Sequence, residues 1–161
     1  MCIRDSWKQC RERCIRIASS LVKSGIGLGD TVAVLAFNTP EMFESHFAVP
    51  MTGAVLNTIN TRLDADTVAY ILEFGNAKAL IVDRELFPLA EKALAQIELK
   101  PVLILIDDET AEVEPSVDQD VIDYEDLVNS GDPDFSPPQL EDEWQALALN
   151  FTSGTTGRPK G

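Results

Sequence analysis

The sequence has few of the residues that most often carry metal or redox chemistry. It contains one histidine, His46, and three cysteines, Cys2, Cys10 and Cys14. Cys10 and Cys14 are four positions apart, which predicts one shared helical face, but no histidine or further cysteine completes a metal ligand set. His46 lies on a predicted helix without neighbouring acid-base partners, so we interpret it as structural.

Basic residues are missing from one long stretch. Between Pro101 and Asn150 there is no lysine or arginine but there are 15 acidic residues, and these account for most of the net charge of -14. Such a surface would repel nucleic acid and anionic membranes, so we expect neither as a partner. We interpret the stretch as a solvated acidic connection.

No apolar run approaches the roughly 18 residues of a membrane helix, and the N-terminus has no hydrophobic signal core. We therefore expect no membrane span and a reducing, cytoplasmic location. The first six residues, MCIRDS, match no helix or strand pattern. We interpret 1–6 as a non-native leader and 7–161 as the protein domain.

What is present suits a single globular domain, with 45% hydrophobic and 25% charged residues. The run TVAVLAF is apolar and rich in β-branched residues, as in strands buried on both faces. The remaining chain alternates helical and strand patterns, which predicts an α/β fold with a mostly parallel sheet and crossover helices.

The predicted segments follow from hydrophobic spacing, caps and turn residues. Helices are expected from Trp7 to Val22, after Thr39 with an apolar stripe of Phe43, Phe47 and Met51, between Asp64 and Gly75, and over 84–97 and 121–131. Strands are expected over 31–37, 79–83, 102–107 and 144–151, while the apolar stretch 54–60 is left unassigned.

The last predicted strand leads into TSGTTGRPKG, residues 152–161. A glycine-rich loop after a strand is a geometry in which backbone N–H groups converge on an anion. Gly154 and Gly157 allow close backbone approach, and Lys160 supplies a mobile charge. The hydroxyl donors are Thr152, Ser153, Thr155 and Thr156, and we interpret Arg158 as an auxiliary cation.

The loop is not the P-loop of ordinary NTPases. Counted from Gly154, that motif needs glycine and Ser or Thr where this chain has Pro159 and Gly161. A mobile polar turn without a ligand would explain SGTTG alone, but it explains the complete string poorly.

The string from Phe151 to Gly161 resembles the signature loop of the adenylate-forming superfamily, which includes acyl-CoA synthetases, luciferases and nonribosomal-peptide adenylation domains. It matches the pattern, an aromatic residue then T-S-G-[ST]-T-G-x-P-K-G, at every position. The upstream chain, above all AVPMTGAVLNTINTRLDA, is similar to AMP-forming fatty-acyl and short- to medium-chain acyl-CoA synthetases.

This resemblance implies the N-terminal part of the large domain of such an enzyme. It implies a carboxylate substrate with ATP, Mg²⁺ and coenzyme A, and acyl-adenylate formation followed by transfer to the thiol. The phosphate contacts fall on Thr152, Ser153, Gly154, Thr155, Thr156, Gly157 and Lys160. Lys160 would stabilise phosphate charge, and the main catalytic residues would lie outside this chain.

The family's pattern also implies that the chain is cut at this loop. We therefore expect the 161 residues alone to be inactive, and an open sheet edge and face to make them prone to aggregate. Two alternatives stay open: an aryl-CoA ligase or amino-acid adenylation domain, and a non-catalytic nucleotide- or phosphate-binding module.

Overall fold

A parallel five-stranded sheet forms the centre of the molecule. The computed structural model describes residues 6–107, 111, 120–139, 141–152 and 160–161. The strands are β1 (Thr31–Leu35), β2 (Val55–Thr58), β3 (Ala77–Asp83), β4 (Val102–Ile106) and β5 (Val121–Asp123). Their order is β2-β1-β3-β4-β5, and every neighbouring pair is parallel. The predicted α/β class is confirmed.

Among the described residues, five α-helices cover the two faces of this sheet. They are α1 (Trp7–Lys23), α2 (Pro40–Ala48), α3 (Ala65–Phe74), α4 (Phe87–Leu94) and α5 (Tyr124–Ser130). One apolar core lies between the sheet and α1, α2 and α5, and a second lies between the sheet and α3 and α4. Within the ranges that the structure describes, no helix is long and apolar enough to cross a membrane.

The continuous apolar strands are explained by these two cores. Alternate side chains of a strand point to opposite faces, so Val32 and Val34 enter the first core while Ala33 and Leu35 enter the second. Because both faces are covered, the expectation of an open sheet face was wrong. The edge strands are β2 and β5.

Local hydrogen bonds set several helix boundaries. Ser6 and Gln9 form a capping box at the start of α1, and the Asp64 carboxylate accepts the Thr67 N–H at 2.8 Å at the start of α3. After α1 the chain turns at Gly25, whose φ of 83° is a conformation that favours glycine. The predicted helix after Asp64 is therefore confirmed together with its cap.

Two strands were not predicted. β2 lies in the unassigned stretch 54–60, and β5 occupies the first three residues of the segment expected to be a helix over 121–131. The Asp123 carboxylate accepts the Asp126 N–H at 3.0 Å, which caps α5 and starts that helix at Tyr124. The preceding residues pair with Leu103–Leu105 of β4 instead.

The apolar stripe predicted on α2 was wrong in part. Phe43 and Phe47 are each 44% exposed, whereas Glu44, Ser45 and Ala48 face the protein interior. Small side chains and a paired carboxylate let α2 lie close to α1, and the two phenylalanine rings contact each other at 5.1 Å between centroids. The third member of the predicted stripe, at position 51, does pack partly buried against the first core.

Candidate functional site

The candidate loop is reached through a short contact with the edge of the sheet. Leu56 of β2 donates its N–H to the Leu147 carbonyl at 3.1 Å, and its own carbonyl accepts the Leu149 N–H at 2.8 Å. This bridge is parallel, so the chain beyond Ala148 runs toward the carboxyl end of the sheet. Ligands of open α/β sheets bind beyond that end of the strands.

The strand predicted over 144–151 is wrong in its extent. The segment pairs with β2 only at the Leu56–Ala148 bridge, and residues 144–151 do not form a continuous β-strand. The reason lies in its position at the edge of a four-residue strand, where apolar side chains need not be buried. Trp144 is 93% exposed and Leu147 is 61% exposed.

An aromatic contact fixes the entry to the loop. The Phe151 ring lies edge-on to Phe74 and Tyr70 of α3, with centroids at 5.7 Å and 6.5 Å. Gly161, at the other end of the motif, packs on the same ring, since an added Cβ there would lie 2.9 Å from two Phe151 atoms. A side chain at position 161 would therefore displace the ring.

The two ends of the loop are also hydrogen-bonded. Thr152 donates its N–H to the Lys160 carbonyl at 3.0 Å, and its hydroxyl donates to the same oxygen at 3.3 Å. The pair forms an antiparallel bridge. Thr152 thus closes the base of the loop, and both of its donors are directed at Lys160 rather than outward.

The other predicted phosphate contacts lie outside the described residues. They are Ser153, Gly154, Thr155, Thr156 and Gly157, together with the auxiliary Arg158. The structure brings Thr152 and Lys160 together at the base of the loop, with both residues exposed. The roles of Phe151 and Gly161 as anchors were missed, although an aromatic residue directly before a glycine-rich loop was a usable signal.

Charged groups elsewhere at the carboxyl end of the sheet pair with one another. Arg84, directly after β3, forms an ion pair with Asp107, directly after β4. The Asp83 carboxylate accepts the Glu85 N–H at 3.0 Å. Across the part of the chain that the structure describes, no group of three His, Cys, Asp or Glu is arranged to hold a metal ion.

Comparison with known proteins agrees with this architecture. The model of the family described as AMP-binding enzyme matches residues 3–161. An acetate/butyrate–CoA ligase of Arabidopsis thaliana, named as peroxisomal, is 45% identical over 97% of this chain and 29% of its own length. A peroxisomal trans-cinnamate:CoA ligase of Petunia hybrida is 47% identical over 98% and 30%. This chain thus spans less than a third of either relative.

Solved structures show the same fold. An anthranilate–CoA ligase in complex with anthranoyl-AMP superposes with a TM-score of 0.83 at 26% identity, over 94% of this chain and 28% of that one. A luciferase-like enzyme from the mealworm Zophobas morio gives 0.83 at 23% identity, over 97% and 35%. With a family model that matches almost its whole length, this chain belongs to the AMP-binding enzyme family of adenylate-forming enzymes.

Proposed function

We propose that the protein containing this chain is an ATP-dependent, AMP-forming acid–thiol ligase that activates a fatty carboxylic acid and transfers the acyl group to coenzyme A. The observation that carries the proposal is the signature loop itself, which the Thr152–Lys160 bridge closes and Phe151 anchors beside α3. It lies in a chain of the AMP-binding family.

The chemistry explains why the loop needs these residues. The substrate carboxylate attacks the α-phosphate of ATP, and the bond to pyrophosphate breaks, which concentrates negative charge on the leaving group. Backbone N–H groups at Gly154 and Gly157, hydroxyls at Ser153, Thr155 and Thr156, and the Lys160 ammonium would stabilise that charge. The thiol of coenzyme A then displaces AMP from the acyl carbon.

The named substrates of relatives support a short acyl chain as the first choice. The Arabidopsis relative is named for acetate and butyrate, and a relative from Humulus lupulus, 41% identical, is named for 2-methylpropanoate. An aryl substrate is the second candidate, because the Petunia relative is named for trans-cinnamate.

Two further elements of the proposal are Mg²⁺ and the cellular compartment. Mg²⁺ would accompany the ATP phosphates, and its protein ligands would come from outside the described residues. We also propose the cytoplasm as the compartment, and a fluorescent fusion of the complete protein, imaged beside a peroxisomal marker, tests it. Co-localisation with the marker would refute this part.

The decisive experiment uses the protein encoded by the complete reading frame. It is incubated with ATP, Mg²⁺, coenzyme A and one acid at a time from a panel of acetate, butyrate, hexanoate, octanoate, cinnamate and an amino acid. Acyl-CoA and AMP are then measured in parallel. We expect equal amounts of both products, highest with a short-chain fatty acid such as butyrate.

Each other outcome decides against part of the proposal. Preference for cinnamate would replace the fatty acid with an aryl acid. Adenylate formation with the amino acid, without a coenzyme A product, would indicate an amino-acid adenylation domain. Saturable ATP binding without turnover on any acid would leave a non-catalytic nucleotide-binding module.

A further inference from the structure

Two thiols lie in contact on the first turns of α1. The Sγ atoms of Cys10 and Cys14 are 4.0 Å apart, and both thiols are unlinked. Cys10 is half-buried at the surface of the first core, while Cys14 is 1% exposed. The predicted shared helical face is thus confirmed, and the pair is open to solvent through Cys10.

The surroundings of Cys14 keep it protonated. Its Sγ donates a weak hydrogen bond to the Glu44 carbonyl at 3.6 Å. Burial, helped by the neighbouring Cys10, raises the pKa of the Cys14 thiol to about 12. A thiol-reactive compound must therefore bind the Cys10 sulfur first. It then forms its second bond with the neighbouring Cys14 thiol.

The helix geometry disfavours a disulfide between these residues. Cβ atoms four residues apart on a helix are separated by about 5–6 Å, whereas a disulfide needs them at about 3.8 Å. A tetrahedral metal would suit the sulfur spacing, but the residues the structure describes supply no third ligand. The two sulfurs suit a thiophilic atom that bonds to both of them and already carries a third substituent of its own.

We propose that Cys10 and Cys14 form a dithiol site for a monosubstituted trivalent arsenical. Each thiol forms an As–S bond, an As–O bond breaks, and the thiol proton leaves with that oxygen as water. Two sulfurs therefore bind one arsenic with loss of two water molecules from its dihydroxy form. Arsenic stays trivalent, so no oxidant or reductant is needed.

The bound arsenic would link two turns of α1 and so change the stability of this helix. It would join two successive turns of the helix on the side that faces α2, one residue away from Arg13, which pairs with Glu44. A cross-link between turns removes unfolded-state freedom, so the thermal midpoint of the chain should rise on binding.

Phenylarsine oxide is the probe that tests the site. The 161-residue chain carrying Cys2→Ser is titrated, and intact mass and free thiols are measured. We expect one phenylarsenic group per chain and loss of both thiols. The adduct should survive excess monothiol and be reversed by a dithiol such as 2,3-dimercaptopropanol.

The matched control is Cys10→Ala with Cys2 retained, which keeps two thiols but separates them along the chain. Its affinity for the probe should be lower by about 10²-fold or more, because Cys2 and Cys14 are far apart along the chain and the second thiol therefore has a lower effective concentration. Equal affinity in the two variants, or an adduct that consumes one thiol, would overturn the proposal. The thiol count gives this answer even if a variant is less stable.

Discussion

Arg13 of α1 and Glu44 of α2 are joined by two hydrogen bonds, Nε to Oε1 at 2.5 Å and Nη2 to Oε2 at 3.2 Å. The same guanidinium also binds both carboxylate oxygens of Glu125 on α5, at 2.9 Å and 2.6 Å. Glu44 in turn accepts the Tyr124 hydroxyl at 3.0 Å. One arginine thus connects the three helices on one face of the sheet.

Removing this arginine should destabilise the chain strongly. Glu44 is 3% exposed, so Arg13→Met leaves a buried carboxylate with the Tyr124 hydroxyl as its remaining side-chain partner. We expect the free energy of unfolding to fall by about 3 kcal/mol. This is the lower end of the range for breaking a buried ion pair, because Arg13 is partly exposed. Urea denaturation measures it.

The control for that experiment is Lys8→Met. Lys8 pairs with Glu12 at 3.9 Å on the same helix, but the two side chains are 86% and 55% exposed. Its loss should cost no more than about 0.5 kcal/mol. Similar losses in both variants would show that the connection between helices contributes no special stability.

The ion pair between Asp30 and Lys78 should give the stability a pH dependence. Asp30 Oδ1 lies 2.8 Å from Lys78 Nζ, and its Oδ2 accepts the Gly27 N–H at 2.9 Å. The hydrogen bond from Lys78, followed by that from Gly27, lowers the pKa of Asp30 below its usual value. Its stabilising contribution is therefore complete above the unfolded pKa of about 3.9 and is lost as pH falls through the lower folded value.

Asp30→Asn tests this sign. The variant should be less stable than the parent by about 1 kcal/mol at pH 7, and the difference should shrink below about pH 4. Urea melts from pH 7 to pH 2 measure it, with Glu98→Gln as a control for the loss of one exposed negative charge. A difference that grows toward acid pH would contradict the assignment.

Lys160 should matter for catalysis and little for folding, because its side chain is exposed while its carbonyl closes the loop. In the complete protein, Lys160→Met keeps that carbonyl and removes the charge. We expect adenylate formation to fall by about 10²–10³-fold, as for loss of one transition-state donor, with an unchanged thermal midpoint. Lys100→Met, at another exposed lysine, should leave the rate within about twofold, since surface substitutions away from a site have little effect.

The 161 residues alone should form no AMP in a carboxylate-dependent reaction. The chain spans about 29% of the length of the Arabidopsis relative, and its described residues hold no group of three His, Cys, Asp or Glu that could bind a metal ion. The measurement is AMP release from ATP with and without butyrate. Carboxylate-dependent AMP from the purified chain would show that the loop and its neighbours suffice.

The fold could be predicted where local chemistry and burial agree. β3 could be predicted from a continuous apolar run, because the strand is buried on both faces. The helix after Asp64 could be predicted from its apolar spacing, its cap and the glycine that follows it. The prediction that Phe43 and Phe47 form a buried stripe was wrong, because periodicity locates an apolar face without showing which element covers it. β5 was not predicted, because three residues are too few to show an alternation of apolar and polar side chains. Their pairing with β4 makes them a strand.

The sequence motif of the site could be predicted, but the contacts that hold the loop in place could not. Residue types indicated which groups could contact phosphate. The anchoring of Phe151 on α3 joins residues about 80 positions apart in the chain, which spacing alone does not reveal. The packing of Gly161 on the Phe151 ring depends on how the two ends of the loop meet, which residue types do not indicate.

Isotope exchange between pyrophosphate and ATP, measured on the complete protein with and without butyrate, is the sharpest test of the proposed adenylate chemistry. Exchange requires the reversible formation of an acyl-adenylate, so it reports the first half-reaction without coenzyme A. We predict exchange that depends on the carboxylate and falls with Lys160→Met. Exchange independent of any carboxylate in the panel, or its absence with all of them, would contradict it.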